Sequence, residues 1–362
     1  MKILYVITST DVGGAEKALV SLVQEVAPRH QVQVVCLKPL GALAAELKAA
    51  GADVTSLQMT GAGLGTVAKL VREINAFQPD VVHAMLFRAI EFARLACAGR
   101  NVKLITTPHF DLSKKSCAAR WLDRALKNVD TRSCAESVST YQFLLEEQHY
   151  SSAKTVLVRN SVKKSLFFKD NFVKSRMRAE KKFLDIDVLY ICVARLAKIK
   201  NPQALLQAFG AIVPHCPHAK LIYVGDGEER NALEKMVQAQ NLTNKVFIVG
   251  EQQNINEWLN MADVFVLLSK EESLPLALLE AQQVGLPCIV GRVGDMPKRV
   301  THGEDGFVCN PKDTMLVSCL LTELYENEEL RRKMGKKALR KSAQEPDSSA
   351  QYQQLYQQVV QI

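Results

Sequence analysis

The sequence predicts an α/β protein of two domains, each a doubly wound, Rossmann-like parallel sheet with helices on both faces. Three observations predict it. Short apolar runs rich in β-branched residues alternate with helix-length amphipathic stretches along most of the chain. That alternation lapses in a basic stretch at 163–182 and then restarts. The length of 362 residues exceeds one ordinary domain and suits two of roughly 150–200.

In the first half the strand candidates are 3–8, 32–37, 54–59, 80–85, 102–107 and 155–159. Helical patterns such as 15–26 and 64–77 separate them. The strands are apolar almost without interruption, which suits a sheet buried on both sides. The second half offers strands at 188–193, 219–224, 245–249, 263–268 and 287–290. The last fifty residues read as three helices, 314–326, 328–342 and 348–361. The expected division is therefore 1–165 and 166–345, with 163–182 as the linker.

Composition narrows the class. At 48% hydrophobic and 23% charged residues the chain is globular, since disorder needs fewer apolar residues. The opening apolar run ends at Thr8-Ser9-Thr10-Asp11, too short for a signal-peptide core and right for a first strand. No stretch approaches the ~18 apolar residues of a membrane span. Nine scattered cysteines without a Cys-x-x-Cys pair suit reduced thiols and a cytoplasmic protein. The formal charge of +8 is concentrated at 114–127 and 163–182 and favours anionic partners without choosing among them.

The chemistry-bearing residues lie where strands end. The first strand runs into Gly13-Gly14-Ala15-Glu16. Paired glycines let a ligand approach the backbone, and the following helix start favours an anion. In the second half, Arg195 and Lys200 flank the loop after strand 188–193. Open α/β sheets bind ligands at that edge, and two cations there suit a diphosphate. Gly225-Asp226-Gly227 forms a similar turn after 219–224. Glu272 and Glu280 are eight residues apart, the first on a loop, the second on a helix. Just over two helical turns separate them, so both can address one site. Glu280 stands in an apolar run, where a carboxylate needs a partner. A ribose diol or a buried cation would serve.

Two matches mislead. Gly63-x-Gly65-x-x-Ala68 fits a dinucleotide fingerprint but follows the third strand rather than the first. Asp185-x-Asp187 fits a metal-binding string but precedes its strand and reads as a solvated turn. No His/Cys cluster has zinc spacing.

Taken together these features resemble the family-4 retaining glycosyltransferases of the GT-B fold, over essentially the whole chain. The most specific element is Glu272 to Glu280, set in S-x-x-E-S-L-P-L-x-L-L-E-A, with Arg195 and Lys200 ahead of it. Gly13-Gly14-x-Glu16, His109, and Val158-Arg159-Asn160-Ser161-Val162 fall where the family places its counterparts. The resemblance implies two Rossmann-like domains facing across a cleft, with helix 346–362 returning to the first. It implies that Glu280 binds the donor ribose and that Glu272 lies near the donor sugar hydroxyls, with Leu274 beside it. Arg195 and Lys200 would hold the diphosphate, with Gly13, Gly14 and Gly225 lining the donor site, and His109 would stand beside the reacting sugar. The catalytic set it implies is His109, Glu272, Arg195 and Lys200, without metal or cofactor beyond the nucleotide-sugar co-substrate.

The sequence departs from the family at Gly294-Asp295-Met296-Pro297-Lys298, where Gly-Gly-x-Pro-Glu is usual, and at Asn160-Ser161, where Asn-Gly is usual. Asp295 and Lys298 motivate one alternative, a non-catalytic binding subunit; a second, a nucleotide-sugar epimerase on the same fold, is opposed by the Glu272–Glu280 context. The expected acceptor is a glycan or lipid-linked saccharide of a surface polysaccharide pathway, and nucleic acid is not an expected partner. In helix 117–125 the apolar residues 118, 121, 122 and 125 share one face, with Lys114, Lys115, Arg120 and Arg124 towards other faces. Such a helix packs that face on its own sheet or lies on an anionic membrane surface, the second giving peripheral association with the inner face of the cell membrane.

Overall fold

A computed structural model describes residues 1–60, 63–109 and 115–362. Gly61 and Ala62, just before the fingerprint, and Lys114 of the first basic segment lie outside the described residues. The chain forms two compact units, Met1–Asn160 with Pro346–Ile362, and Ser161–Glu345.

Unit 1 contains β1 (Lys2–Ile7), α1 (Gly14–Val26), β2 (Gln31–Cys36), α2 (Ala44–Ala49), β3 (Asp53–Ser56), α3 (Leu64–Phe77) and β4 (Val81–Met85). It continues with α4 (Phe87–Cys97), β5 (Lys103–Thr107), α5 (Cys117–Leu126), β6 (Arg132–Ala135), α6 (Val138–Glu146) and β7 (Thr155–Leu157). Its seven strands are ordered β3-β2-β1-β4-β5-β6-β7, every pairing parallel. Alternation along β1 builds two cores. Ile3, Tyr5 and Ile7 join Leu19, Val23 and Val26 of α1, whereas Leu4 and Val6 join Leu70, Ile74 and Ala93 across the sheet.

Unit 2 begins with α7 (Asn171–Glu180) and β8 (Val188–Val193), then α8 (Pro202–Ile212), β9 (Ala219–Val224), α9 (Arg230–Ala239), β10 (Val246–Ile248) and α10 (Ile255–Met261). There follow β11 (Val264–Leu267), α11 (Leu276–Gln283), β12 (Cys288–Gly291), α12 (Met296–Arg299), β13 (Gly306–Cys309), α13 (Thr314–Glu326) and α14 (Glu328–Ala343). Its six parallel strands are ordered β10-β9-β8-β11-β12-β13. That is the doubly wound order in which direction reverses between the first and fourth strands, here β8 and β11, and ligands bind outside the carboxyl ends at that reversal.

The last helix, α15 (Ser348–Val360), belongs to unit 1. Tyr352, Leu355, Tyr356 and Val359 recur at helical spacing and enter the β1 core. Its tyrosines reach the sheet. Tyr356 is hydrogen-bonded to His83 Nδ1 at 2.7 Å and to Tyr5 at 3.1 Å, and Tyr352 to Thr107 at 3.2 Å. Thr107 also meets His83 Nε2 at 2.8 Å. His83 is fully buried, and burial lowers its pKa to about 3, so it is neutral.

The stretch 163–182 is not a linker. The units divide at Asn160–Ser161, ahead of the expected 165/166, because this stretch packs on unit 2. Its helix α7 buries Met177 and Arg178. Arg178 donates to the Met261 and Asp187 carbonyls and pairs with Asp263, Lys174 pairs with Asp263 at 2.7 Å, and Arg176 pairs with Glu257. Acids on neighbouring elements therefore answer the charges of Lys174, Arg176 and Arg178. Nor is Asp185-x-Asp187 a solvated turn throughout, since Asp187 is buried and accepts from the Leu184 N–H at 2.9 Å.

Helix α5 reverses the usual arrangement. Trp121 is 69% exposed, Leu122 is exposed, and the buried residue is Asp123. Asp123 meets Arg94 at 2.7 Å, and Arg94 also pairs with Asp130 at 2.6 Å and donates to Tyr150. A buried, fully engaged ion cluster thus anchors the helix by its polar side and turns its apolar face to solvent.

Candidate functional site

At the carboxyl edge of unit 2, Arg195, Lys200, Gly225, Glu272 and Leu274 lie on loops, and Glu280 lies on the second turn of α11. The loop after β8 carries Arg195 and Lys200, and that after β11 carries Glu272, so the reversal point brings these groups together. A backbone bond from Lys270 N–H to the Ile199 carbonyl (2.8 Å) ties the two loops. Lys200 forms an ion pair with Glu272 Oε1, and Ser269 donates to the same oxygen at 2.9 Å. Arg195 is exposed and forms no side-chain hydrogen bond or ion pair among the described residues.

Close backbone packing sets these loops. Gly225 has φ +134°, and a Cβ there would lie 2.0 Å from the Ala194 carbonyl oxygen. Gly227 approaches the Leu196 carbonyl in the same way. The Gly225–Gly227 turn therefore supports the Arg195 loop, also joined to it by Leu196 N–H to Asp226 O at 2.9 Å. Gly294, at φ +53°, serves the Glu272 loop, because a Cβ would meet the Glu272 carbonyl oxygen at 2.1 Å. Ser269 and Gly294 stand in the motifs read from the sequence, which assigned neither a role. For Gly294 the signal was present in the Gly-Asp-Met-Pro turn, but its contact lies more than twenty residues away.

Glu280 is on α11 and 8% exposed, within a helix whose residues 278–283 are all buried. Leu274 is buried just before that helix. The departures from the family pattern answer each other. Asp295 is buried, Lys298 lies 3.3 Å from it, and the Asp295 N–H donates to the Ser273 carbonyl at 2.8 Å. The substituted acid and base thus offset each other's charge within this loop.

Unit 1 holds the other candidates. Gly14 opens α1 and is exposed, with nothing near its missing side chain. Gly13 lies against the Glu16 carboxylate, which a Cβ would meet at 2.2 Å. This helix start therefore already has an acid beside it, and its pull on an added anion is reduced. His109 follows β5 at the carboxyl edge with φ +54°, a strained conformation for a non-glycine residue. Among the described residues its Nε2 is buried without a hydrogen-bond partner, and burial lowers its pKa to about 4, so the imidazole is neutral. The fingerprint glycine Gly63 is a left-handed residue before α3, packed against Met59 and Phe92. No group of His, Cys, Asp and Glu among the described residues has a metal-binding arrangement.

Comparison with known proteins shows the family and the fold. The family described as Glycosyltransferase Family 4 matches residues 12–165, and Glycosyl transferases group 1 matches residues 173–341. The N-acetyl-alpha-D-glucosaminyl L-malate synthase of Bacillus anthracis is 31% identical over 272 residues, covering 72% of this chain and 69% of that protein. The UDP-Gal:alpha-D-GlcNAc-diphosphoundecaprenol alpha-1,3-galactosyltransferase of Escherichia coli is 28% identical over 65% of this chain and 63% of its own length. Among solved structures, HepE of Anabaena in complex with UDP-glucose superposes with a TM-score of 0.87 at 21% identity, covering 100% of both chains.

Proposed function

Because the chain belongs to the family-4 glycosyltransferases, we propose that it moves a sugar, with retention of anomeric configuration, from a nucleotide-sugar donor to a glycan or lipid-linked acceptor. The product would be a surface polysaccharide or related glycoconjugate. The observation that carries this reading is the meeting of the Lys200 and Glu272 loops at the strand reversal of unit 2.

The roles follow from charge. Breaking the bond between the anomeric carbon and the diphosphate leaves negative charge on the departing nucleotide. Arg195 and Lys200 stabilise that charge, and cations already in place spare the reorganisation that water would need. Glu280 accepts the ribose hydroxyls and Glu272 the donor sugar hydroxyls, with Leu274 and Gly225 shaping the site. The neutral imidazole of His109 positions or stabilises the reacting sugar, while Gly13 and Gly14 offer backbone N–H groups. The two cations suffice without a metal, and no cofactor is needed beyond the co-substrate. UDP is the first nucleotide to test, since HepE was crystallised with UDP-glucose and the E. coli relative's name specifies UDP-Gal.

The protein acts in the cytoplasm, peripherally on the inner face of the membrane, where a lipid-linked acceptor would be met. The outward apolar face of α5 supports this, with Trp121 and Leu122 exposed beside Arg120 and Arg124. No described helix is long and apolar enough to cross a membrane.

Incubation with a panel of nucleotide sugars and acceptors tests the reading. Acceptor-dependent nucleotide release, unchanged by exhaustive EDTA, with a retained anomer by proton NMR, is expected. Donor interconversion would favour an epimerase, and binding without turnover a non-catalytic subunit. Flotation with anionic liposomes at low salt should carry the protein upward, and failure to float would remove the membrane reading.

A further inference from the structure

In unit 2 two of the charges at the strand reversal are spent on each other. Lys200 and Ser269 both donate to Glu272 Oε1. The Lys200 side chain is 25% exposed and that of Glu272 10%, while Ser269 is fully buried. The Glu272 loop is held by Gly294 packing and by the Lys270–Ile199 backbone bond. The lysine stem, by contrast, is a flexible four-carbon chain. A diphosphate arriving at this edge therefore competes with Glu272 for the Lys200 charge.

We propose that the Lys200–Glu272 pair makes the site favour an intact nucleotide sugar over the spent nucleoside diphosphate, with Ser269 as the positioning residue that holds the carboxylate. The inference rests on the assignment of the diphosphate to Lys200 and the sugar to Glu272. When the donor binds, sugar hydroxyls replace the lysine as donors to Glu272, and every polar group keeps a partner. When the bare diphosphate binds, Glu272 retains only Ser269 and sits as a poorly solvated carboxylate beside an anion. Stranding such a group is costly. The spent nucleotide is thus held less tightly than its phosphates alone would dictate. That eases its departure, a step that often limits turnover in enzymes.

Calorimetric titration of the full chain tests this, using whichever of UDP, GDP, ADP, CDP and dTDP binds most tightly, together with its sugar nucleotide. Glu272→Gln, nearly isosteric and checked by its melting curve, should bind the diphosphate about tenfold more tightly, near the low end for one charge-assisted hydrogen bond. It should not tighten binding of the sugar nucleotide. In a Lys200→Met background Glu272→Gln should no longer tighten the diphosphate, a coupling that a merely structural role would not produce. Ser269→Ala should shift the preference in the same direction by a smaller factor, and Ser269→Thr should restore it. Diphosphate binding no tighter in Glu272→Gln, or equal tightening with Lys200 absent, would overturn the inference. Saturable binding of none of these diphosphates by the wild type would instead remove the donor-site assignment, and this inference with it.

Discussion

At the carboxyl edge of unit 2 stand Arg195, Lys200 and Glu272, ionisable groups on loops. At the same edge of unit 1 stand Gly13, Gly14 and a neutral His109, and beneath them lies a hydrogen-bonded set of uncharged side chains, His83, Thr107, Tyr5, Tyr352 and Tyr356. The strand orders are alike through the first six strands. A shared topology fixes where a site can form, and the side chains at the loop ends decide its chemistry. Unit 2 sets the cations Arg195 and Lys200 on loops at its carboxyl edge, whereas unit 1 sets uncharged side chains beneath its edge and ties its sheet to the chain's last helix.

The sharpest way to break this contrast is to remove a cation from unit 2. Lys200→Ala should lower kcat by about 10²–10³, as for other groups that stabilise developing charge, with a smaller effect on donor affinity. Equal losses in unit 1 variants of exposed charges would erase the distinction.

Next in size is the tie between α15 and the unit 1 sheet. Tyr356→Phe leaves the His83 Nδ1 and Tyr5 hydroxyl without their shared partner. Unit 1 should lose about 1–3 kcal/mol, read as a lower melting step in calorimetry while nucleotide binding by unit 2 persists.

The buried histidine also makes unit 1 acid-sensitive. The unfolded chain takes up a proton near pH 6.5, whereas folded His83 resists until about pH 3. Its stability contribution is therefore full above pH 6.5 and is lost as pH falls, by about 2 kcal/mol at pH 5. His109, with its pKa lowered to about 4, acts in the same direction. Glu91 opposes them. Burial raises its pKa to about 7, so its contribution is present below 4.5 and lost as pH rises through 7. Unfolding followed from pH 7.5 to 5 should show destabilisation that His83→Asn reduces, and an unchanged slope would contradict the assignment.

The smallest effect is expected on the solvent side of α5. Trp121→Ser should change stability by no more than about 0.5 kcal/mol, as at other exposed positions, yet reduce liposome flotation. A large destabilisation would mean that the apolar face is packed after all.

Much of this architecture was legible because parallel strands buried on both faces announce themselves as apolar runs. Strands 188–193 and 219–224 and helices 64–77 and 314–326 match their observed limits. Strand β6 escaped because it reads Arg-Ser-Cys-Ala, and its Ser133 is buried through a hydrogen bond to Asp130 rather than through apolarity. Strand β13 is four residues long and opens on a glycine that a Cβ would force into the Cys288 carbonyl. Helix α7 was hidden by its charge, whose partners Glu257 and Asp263 lie about eighty residues further along. The outward face of α5 was undecidable from periodicity, since only the Asp123–Arg94 contact fixes which side turns inward. At the site, residue types and loop positions were readable, but the Lys200–Glu272 pair joins residues 72 apart and required the fold.

The central claim is that unit 2 binds a nucleotide sugar through the loops at its strand reversal and the helix that follows β11. Calorimetric titration of the wild type and Glu280→Gln with the tightest-binding nucleotide sugar tests it most directly. Saturable one-to-one binding is expected, weakened in Glu280→Gln by about 1.5–3 kcal/mol, the range for a hydrogen bond to a charged group. Binding of no nucleotide sugar by the wild type, or the same affinity in both proteins, would contradict it.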